Sequence, residues 1–111
     1  MKAGRLRHRI DIQRKEVTLD SDGAQVDMWF NSFPTMISAE IMPLSGRELI
    51  AADAVQSKVN TRIRIRYRPG IVASMRVVHR GTYYNIEAVI PDPDSGESYL
   101  TLQCTSGEDE G

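Results

Sequence analysis

Several residue types and patterns are scarce in this 111-residue sequence, and each scarcity excludes a class of protein. The single cysteine, Cys104, excludes an intrachain disulfide, and the two histidines add no spacing typical of a zinc site. No apolar run approaches the roughly 20 residues of a membrane-spanning helix, and the N-terminal segment lacks the apolar stretch of a signal peptide. We therefore predict a protein of a reducing compartment, by default cytoplasmic in origin, without disulfides, metals or membrane spans.

Catalytic motifs are missing as well. The sequence contains neither a nucleophile elbow nor a Walker loop, and SGRE at 45–48 lacks the further glycine and the lysine of a phosphate-binding loop. His8 falls on the apolar face of a predicted strand, His79 falls at a predicted hairpin end, and Cys104 shares a face with two leucines. We expect His8 to be a core or rim residue, His79 a surface residue and Cys104 an inert buried thiol, so we predict neither an enzyme nor a cofactor.

Alternation of apolar and polar residues is the dominant pattern, and it predicts short strands. The predicted strands cover 6–13, 26–30, 35–42, 61–68, 71–79, 82–90 and 99–104. Residues 16–25 and 91–98 carry turn residues and are expected to be exposed loops. The predicted core residues are Ile10, Ile12, Ile41, Ile63, Ile65, Val77, Ile86, Leu100 and Leu102. This pattern predicts a mainly β fold, a small antiparallel barrel or sandwich of six to seven strands with long polar loops.

One helical passage interrupts the strands, in PLSGRELIAADAV at 43–55. Ser45 followed three residues later by Glu48 fits a capping box, in which each side chain accepts from the other's backbone amide. Leu49, Ala52 and Val55 share a stripe. A short helix after the third strand is therefore expected.

Charged residues are balanced in number, with a net charge of −1, but they are unevenly placed. RIRIRYRPG at 62–70 puts arginine at every second position, as Arg62, Arg64, Arg66 and Arg68. These side chains form either the solvent face of a half-buried strand, where charge discourages edge-to-edge aggregation, or a surface that contacts a partner.

Several short motifs, taken in order, resemble a known family. They are GRLRHRIDIQR at 4–14, Trp29 after a loop with Asp22-Gly23, AEIMPLSGRE at 39–48, TRIRIRYRPGI at 61–71, MRV at 75–77, GTYYNI at 81–86 and the leucine-alternating strand that ends at Cys104. Their order and spacing resemble the head–tail joining proteins of tailed bacteriophages and prophages, also called head closure, stopper or head–tail adaptor proteins. Members usually carry tryptophan just before the AEI segment, where this chain has Ser38.

This resemblance implies a small β-barrel, without catalytic residues, that forms a ring in the virion. The ring is typically dodecameric, lies beneath the portal and its adaptor, retains the packaged DNA and offers a docking surface to a tail or tail-terminator protein. DNA passes through without sequence-specific binding, and assembly takes place in the host cytoplasm from subunits expected to be monomeric. We expect Arg47, Glu48 and the arginines at 62–68 to contact subunits or partners, because an arginine-lined channel would hold DNA too tightly.

Two other functions remain open. A nucleic-acid-binding barrel resembling an OB-fold would use the basic strand and stack bases on Tyr67, Tyr83, Tyr84 and Tyr99. Against it, aromatic residues make up only 6% of the chain, and two of these tyrosines fall on predicted inward faces. Another connector ring protein, such as a tail terminator, would share the same requirements. In each case residues 1–111 are expected to form one domain, with a flexible acidic tail at 105–111.

Overall fold

The structure is a computed structural model that describes residues 6–45 and 59–106. Its strands are β1 (His8–Leu19), β2 (Gln25–Asn31), β3 (Ile37–Pro43), β4 (Thr61–Arg66), β5 (Arg76–His79), β6 (Thr82–Pro91) and β7 (Tyr99–Ser106). The predicted antiparallel β class is confirmed. The predicted helix and the Glu48 side of its capping box lie outside the described residues. Within the described ranges, no helix is long and apolar enough to cross a bilayer.

Six of the strands close into an antiparallel barrel. The sheet order is β2-β1-β3-β4-β7-β6-β5, and a further pairing of β1 with β5 joins the two sides. In that pairing Asp11, Ile12 and Gln13 lie opposite Val78, Val77 and Arg76. Strand β2 pairs only with β1 and stands outside the closed ring of strands.

The alternation of the sequence explains the core. Successive side chains of a strand point to opposite faces, so residues at every second position meet inside the barrel. The predicted core residues are all buried there except Ile41, which is partly buried and packs against the cluster. Ile37, Ala39, Ile71 and Cys104 complete the buried apolar cluster.

The segment from 16 to 25, expected as a loop, is instead half strand, with a short turn at 20–24. β1 continues to Leu19, and β2 begins at Gln25 and pairs with it residue by residue. Asp20 closes the turn, since its Oδ1 accepts from the amides of Asp22 and Ala24, both at 2.9 Å. Gly23 has a φ of +83°, which favours glycine. Backbone pairing and turn chemistry form this hairpin without a buried face, which is why apolar alternation did not indicate it.

Strand β6 contains a bulge that changes which residues face the core. Ile86 lies opposite Cys104, but Ala88 lies opposite Gln103, so the register shifts between them. The extra residue turns Val89 toward the core, while Ile90 is 41% exposed. Strict alternation along the predicted strand at 82–90 would place Tyr84, Ile86, Ala88 and Ile90 on one face, and the bulge breaks that pattern beyond Ile86.

Other boundaries differ by a few residues. β4 ends at Arg66 and β5 begins only at Arg76, so the intervening residues form a connection rather than strand ends. The hairpin end predicted at His79 is confirmed: a tight turn follows at Arg80-Gly81, with φ values of +51° and +83°. β7 continues to Ser106, so Thr105 and Ser106 belong to the barrel and not to the predicted tail. Residues 107–111 lie outside the described residues.

The bulge can be tested by comparing two isoleucines of β6. Ile86→Ala should lower the free energy of unfolding by about 2–5 kcal/mol, because Ile86 is buried in the core. Ile90→Ala should cost clearly less, because Ile90, beyond the bulge, is 41% exposed whereas Ile86 is 3% exposed. Urea unfolding of both variants measures the difference. Equal losses would show that the register of β6 is wrong.

Candidate functional site

The arginines predicted from the sequence lie on the outside of the barrel. Arg62, Arg64 and Arg66 point away from the core, opposite to the buried Ile63 and Ile65, and we call these three side chains the arginine face. Arg68 lies beyond the end of β4, with its guanidinium 4.6 Å from the centroid of the Phe33 ring. The structure therefore brings three of the four arginines together on one strand. Arg47 and Glu48 fall outside the described residues, and Ser45 is exposed at their border.

The three side chains of the arginine face differ in their exposure to solvent, although the alternation predicts that all of them face water. Arg64 is half-buried, and its guanidinium lies 4.7 Å from the centroid of the Tyr99 ring. Glu40 on β3 is its cross-strand neighbour. Arg64 Nε and Glu40 Oε1 are nevertheless both buried without a hydrogen-bond partner among the described residues. Arg66 is the one exposed arginine of the three, while Arg62 and Arg64 are half-buried, so it is the member best placed to meet another molecule.

A polar cluster with more contacts among its own side chains lies around Arg76, on the opposite side of the barrel. Its side chain is only 6% exposed, and its guanidinium carbon lies 4.1 Å from the ring centroids of both Trp29 and Tyr83. Arg76 Nε donates to Gln13 Oε1 at 2.9 Å, and Gln13 Nε2 donates to Asn31 Oδ1 at 3.0 Å. A buried guanidinium is tolerated when aromatic faces and acceptors compensate its charge. We call these residues the Arg76 cluster.

Sequence reasoning did not identify the Arg76 cluster. Its members come from β1, β2, β5 and β6, which barrel closure alone brings side by side. Arg76 stands in the motif MRV, and nothing in that motif distinguishes it from an exposed arginine. Within the described residues Arg76 is nearly buried, contacts two aromatic rings and donates to Gln13, so we expect the cluster to hold the strands together.

The loop after β6 is another ordered feature. Asp92 is 6% exposed, and its carboxylate accepts from the amides of Ser95 and Ser98, each at 2.8 Å. The amide of Tyr99 and the hydroxyl of Ser95 add further donors. The hydrogen bonds, that of the Ser95 amide foremost, hold the pKa of Asp92 well below its usual range. The predicted loop at 91–98 is thus a preformed structure.

His8 and His79 lie close together at the end of the barrel that carries the β5–β6 turn. The rings of His8 and His79 lie edge to face with centroids 4.9 Å apart. Burial, followed by the nearby His8 and Arg80, lowers the pKa of His79. Beside them is an open pocket of about 340 Å³, lined by Arg7, His8, Glu40 and Ile41. No group of three or more possible ligands in the described ranges could hold a metal ion.

Cys104 is the inert thiol that the sequence predicts. It is fully buried, and burial, with a smaller effect of Glu87, raises its pKa to about 12. Because the thiolate is the reactive form, this cysteine should not react at neutral pH.

The described structure is that of a small all-β structural protein, with charged outer faces and no assembled catalytic group among its described residues. A family model for phage head completion proteins matches residues 1–107. The chain therefore belongs to the phage head completion protein family, and the predicted head–tail joining family is confirmed. Head completion protein gp7 of Enterobacteria phage HK97 is 28% identical over 112 residues, which span 96% of this chain and 97% of that protein.

Solved structures share the barrel. The solution structure of protein SF1141 from Shigella flexneri 2a matches with a TM-score of 0.76 and 28% identity, covering 99% of this chain and 100% of that one. A chain of the virion of a native gene transfer agent particle matches with a TM-score of 0.55 and 15% identity, covering 89% and 93%. The second likeness shows the fold alone. Family membership makes this chain a structural protein of the phage virion, of a family with a structural rather than an enzymatic role.

Arg76→Lys tests whether the Arg76 cluster holds the strands together. Lysine keeps the charge but loses the planar group that contacts both rings, so we expect a loss of about 1–3 kcal/mol in unfolding free energy. The emission of Trp29, the only tryptophan, should shift to the red as its ring becomes hydrated. Arg66→Lys on the exposed arginine is the matched control and should leave both quantities unchanged. An Arg76→Lys protein with normal melting and emission would contradict the structural role.

Asp92→Asn should destabilise the protein at neutral pH, because an amide cannot accept all the hydrogen bonds of the carboxylate. The pKa of Asp92 is lower in the folded than in the unfolded protein, so the unfolded state binds more protons in acid. The stabilisation is complete above the unfolded pKa of about 4 and is lost as the pH falls below it. Melting temperatures of wild type and variant should therefore converge in acid. Asp94→Asn, a change at an exposed neighbour, should show no such pH dependence.

Proposed function

We propose that this protein forms a ring in the head–tail connector, closes the DNA-filled head and provides the attachment surface for the tail. The match of residues 1–107 to the head completion family is the observation that carries this proposal. The partners are other copies of the chain, the adaptor bound to the portal, and a tail-terminator or tail protein. DNA passes through the ring without sequence-specific binding. Assembly takes place in the host cytoplasm, and the isolated subunit is monomeric or weakly associated.

The described geometry suits a mechanical role. The closed barrel is a rigid body, and the Asp92 hydrogen bonds hold one of its loops in a defined shape. The arginine face offers charge to a neighbouring molecule through Arg66, while Arg64 is held on Tyr99. Charged groups at such a surface contribute to orientation and selectivity of protein contacts. We assign Arg62, Arg64, Arg66 and Arg68, with Arg47 and Glu48, to subunit or partner contacts.

A nucleic-acid-binding barrel is less well supported. Of the four tyrosines that would stack on bases, Tyr83 contacts Arg76, Tyr99 contacts Arg64 and Tyr84 packs against the core. Only Tyr67 is largely exposed, at 41%. One free ring does not make a stacking platform for a strand.

Complementation of a phage that lacks this gene tests the proposal. Without the protein we expect DNA-filled heads that leak and free tails in electron micrographs, and restored infectious particles when the gene is supplied. Infectious particles formed without the gene product would overturn the head-closure role.

The same assay tests the arginine face. Arg66→Glu should leave the melting temperature unchanged, because the side chain is exposed, but should lower the yield of joined particles through unfavourable charge at a contact. Arg80→Glu makes the same charge change at the exposed turn between β5 and β6 and is the control. Equal yields of joined particles from both variants would show that Arg66 is an ordinary solvent-facing residue without a role in contacts.

A further inference from the structure

The β1–β2 hairpin extends beyond the barrel as an arm. After Gln13, the last residue to pair with β5, β1 pairs only with β2, from Arg14 opposite Phe30 to Leu19 opposite Gln25. We call residues 14–30 the arm. Six residues per strand give it a length of about 20 Å. Within the described sheet, both of its outer edges lack a neighbouring strand.

Apolar side chains are exposed on both faces of the arm. Directly opposite residues share a face, so Val17 and Leu19 lie on one side and Val26 and Met28 on the other. Their exposed fractions are 61%, 69%, 38% and 46%. A two-stranded hairpin with no buried face is marginally stable alone, and its open edges invite pairing. The arm thus has the composition of a contact element.

Contacts at its base orient the arm relative to the barrel. At its base, Trp29 packs on Arg76 of β5, and Asn31 accepts from Gln13 of β1. These contacts fix the direction in which the hairpin leaves the barrel. Among the described residues nothing covers its apolar side chains, which stay exposed.

The remaining exposed apolar residues lie at the end of the barrel from which the arm leaves. Met36 precedes β3, Tyr67 follows β4, Val72 precedes β5 and Ile90 lies near the end of β6. The antiparallel pairings place all four of these positions at that end. Among the described residues, no large apolar side chain is comparably exposed at the opposite end.

One part of this barrel end has a charge opposite to that of the arm tip. Arg14 pairs with Glu16 and Lys15 with Asp27, which leaves Asp20 and Asp22 at the arm tip. The β4–β5 connection, residues 67–75, follows the exposed Arg66, contains Arg68 and has no acidic residue. It also carries the exposed Tyr67 and Val72. The arm and this connection therefore match in apolar surface and in charge.

We propose that the arm of one copy lies against the β4–β5 connection of the next copy. One patch would meet a different patch of the neighbour, which is the type of contact that closes into a ring. The inference rests on the proposed ring and names the surfaces that join its subunits. It also explains why a small virion protein retains an apolar hairpin without a buried face.

Site-specific crosslinking in assembled particles tests this contact. Particles complemented with the Leu19→Cys, Val72→Cys double variant are treated with a short bismaleimide and examined by denaturing electrophoresis. We expect a ladder of crosslinked multimers, since each copy would join two neighbours. The buried native Cys104, with its raised pKa, should contribute no background.

Matched variants make the result specific. Each single cysteine variant should give monomer only, and so should Leu19→Cys with Thr82→Cys, whose second cysteine lies at the opposite end of the barrel. Infectious particles that contain the double variant but yield only monomer would overturn the arm contact while leaving the head-closure role intact. Infectious particles without any gene product would instead overturn that role.

Charge reversal provides an independent readout in the cysteine background. Asp22→Lys and Arg66→Glu should each lower the crosslinked fraction by about tenfold, because like charges would then face each other across the contact. The combination should restore the ladder. Additive loss in the combination would contradict the pairing of arm tip and connection.

Discussion

The architecture depends on one short pairing, in which β1 meets β5 and closes the barrel. Only three residue pairs form it. Inside, Ile12 lies opposite Val77, and both are buried. Outside, Gln13 accepts a hydrogen bond from Arg76, whose guanidinium lies between Trp29 and Tyr83. Apolar packing on one face and a compensated charge on the other stabilise the same three pairs, so closure does not depend on backbone hydrogen bonds alone.

The β1–β5 pairing also determines where the arm projects from the barrel. Because β1 turns from β5 to β2 alone after Gln13, its continuation becomes the arm. Because Trp29 and Asn31 belong to the base of that arm, the Arg76 cluster that seals the barrel also orients the hairpin. The described residues thus form a closed barrel with a projecting hairpin.

Much of this protein was determined by its sequence alone. Isoleucine or leucine at every second position, as in Ile63 and Ile65 or Leu100 and Leu102, can bury one face only in a strand, so the strand count, fold class and core followed from the alternation. The order of the motifs from 4–14 to the last strand indicated the head–tail joining family. Gly81 after Arg80 indicated the hairpin between β5 and β6, since that turn requires positive φ.

Tertiary structure alone decided the features that carry no periodic signal. The arm has no buried face, so pairing to β2 rather than hydrophobicity made strands of residues 16–19. The bulge after Ile86 is one extra residue whose effect appears only against the register of β7. The sequence around Arg76 is typical of a surface residue. In the structure Arg76 is buried, because barrel closure brings four strands together around it. The alternation along one strand shows which side chains are buried. Pairing between strands that are distant in the sequence determines which of those side chains come into contact.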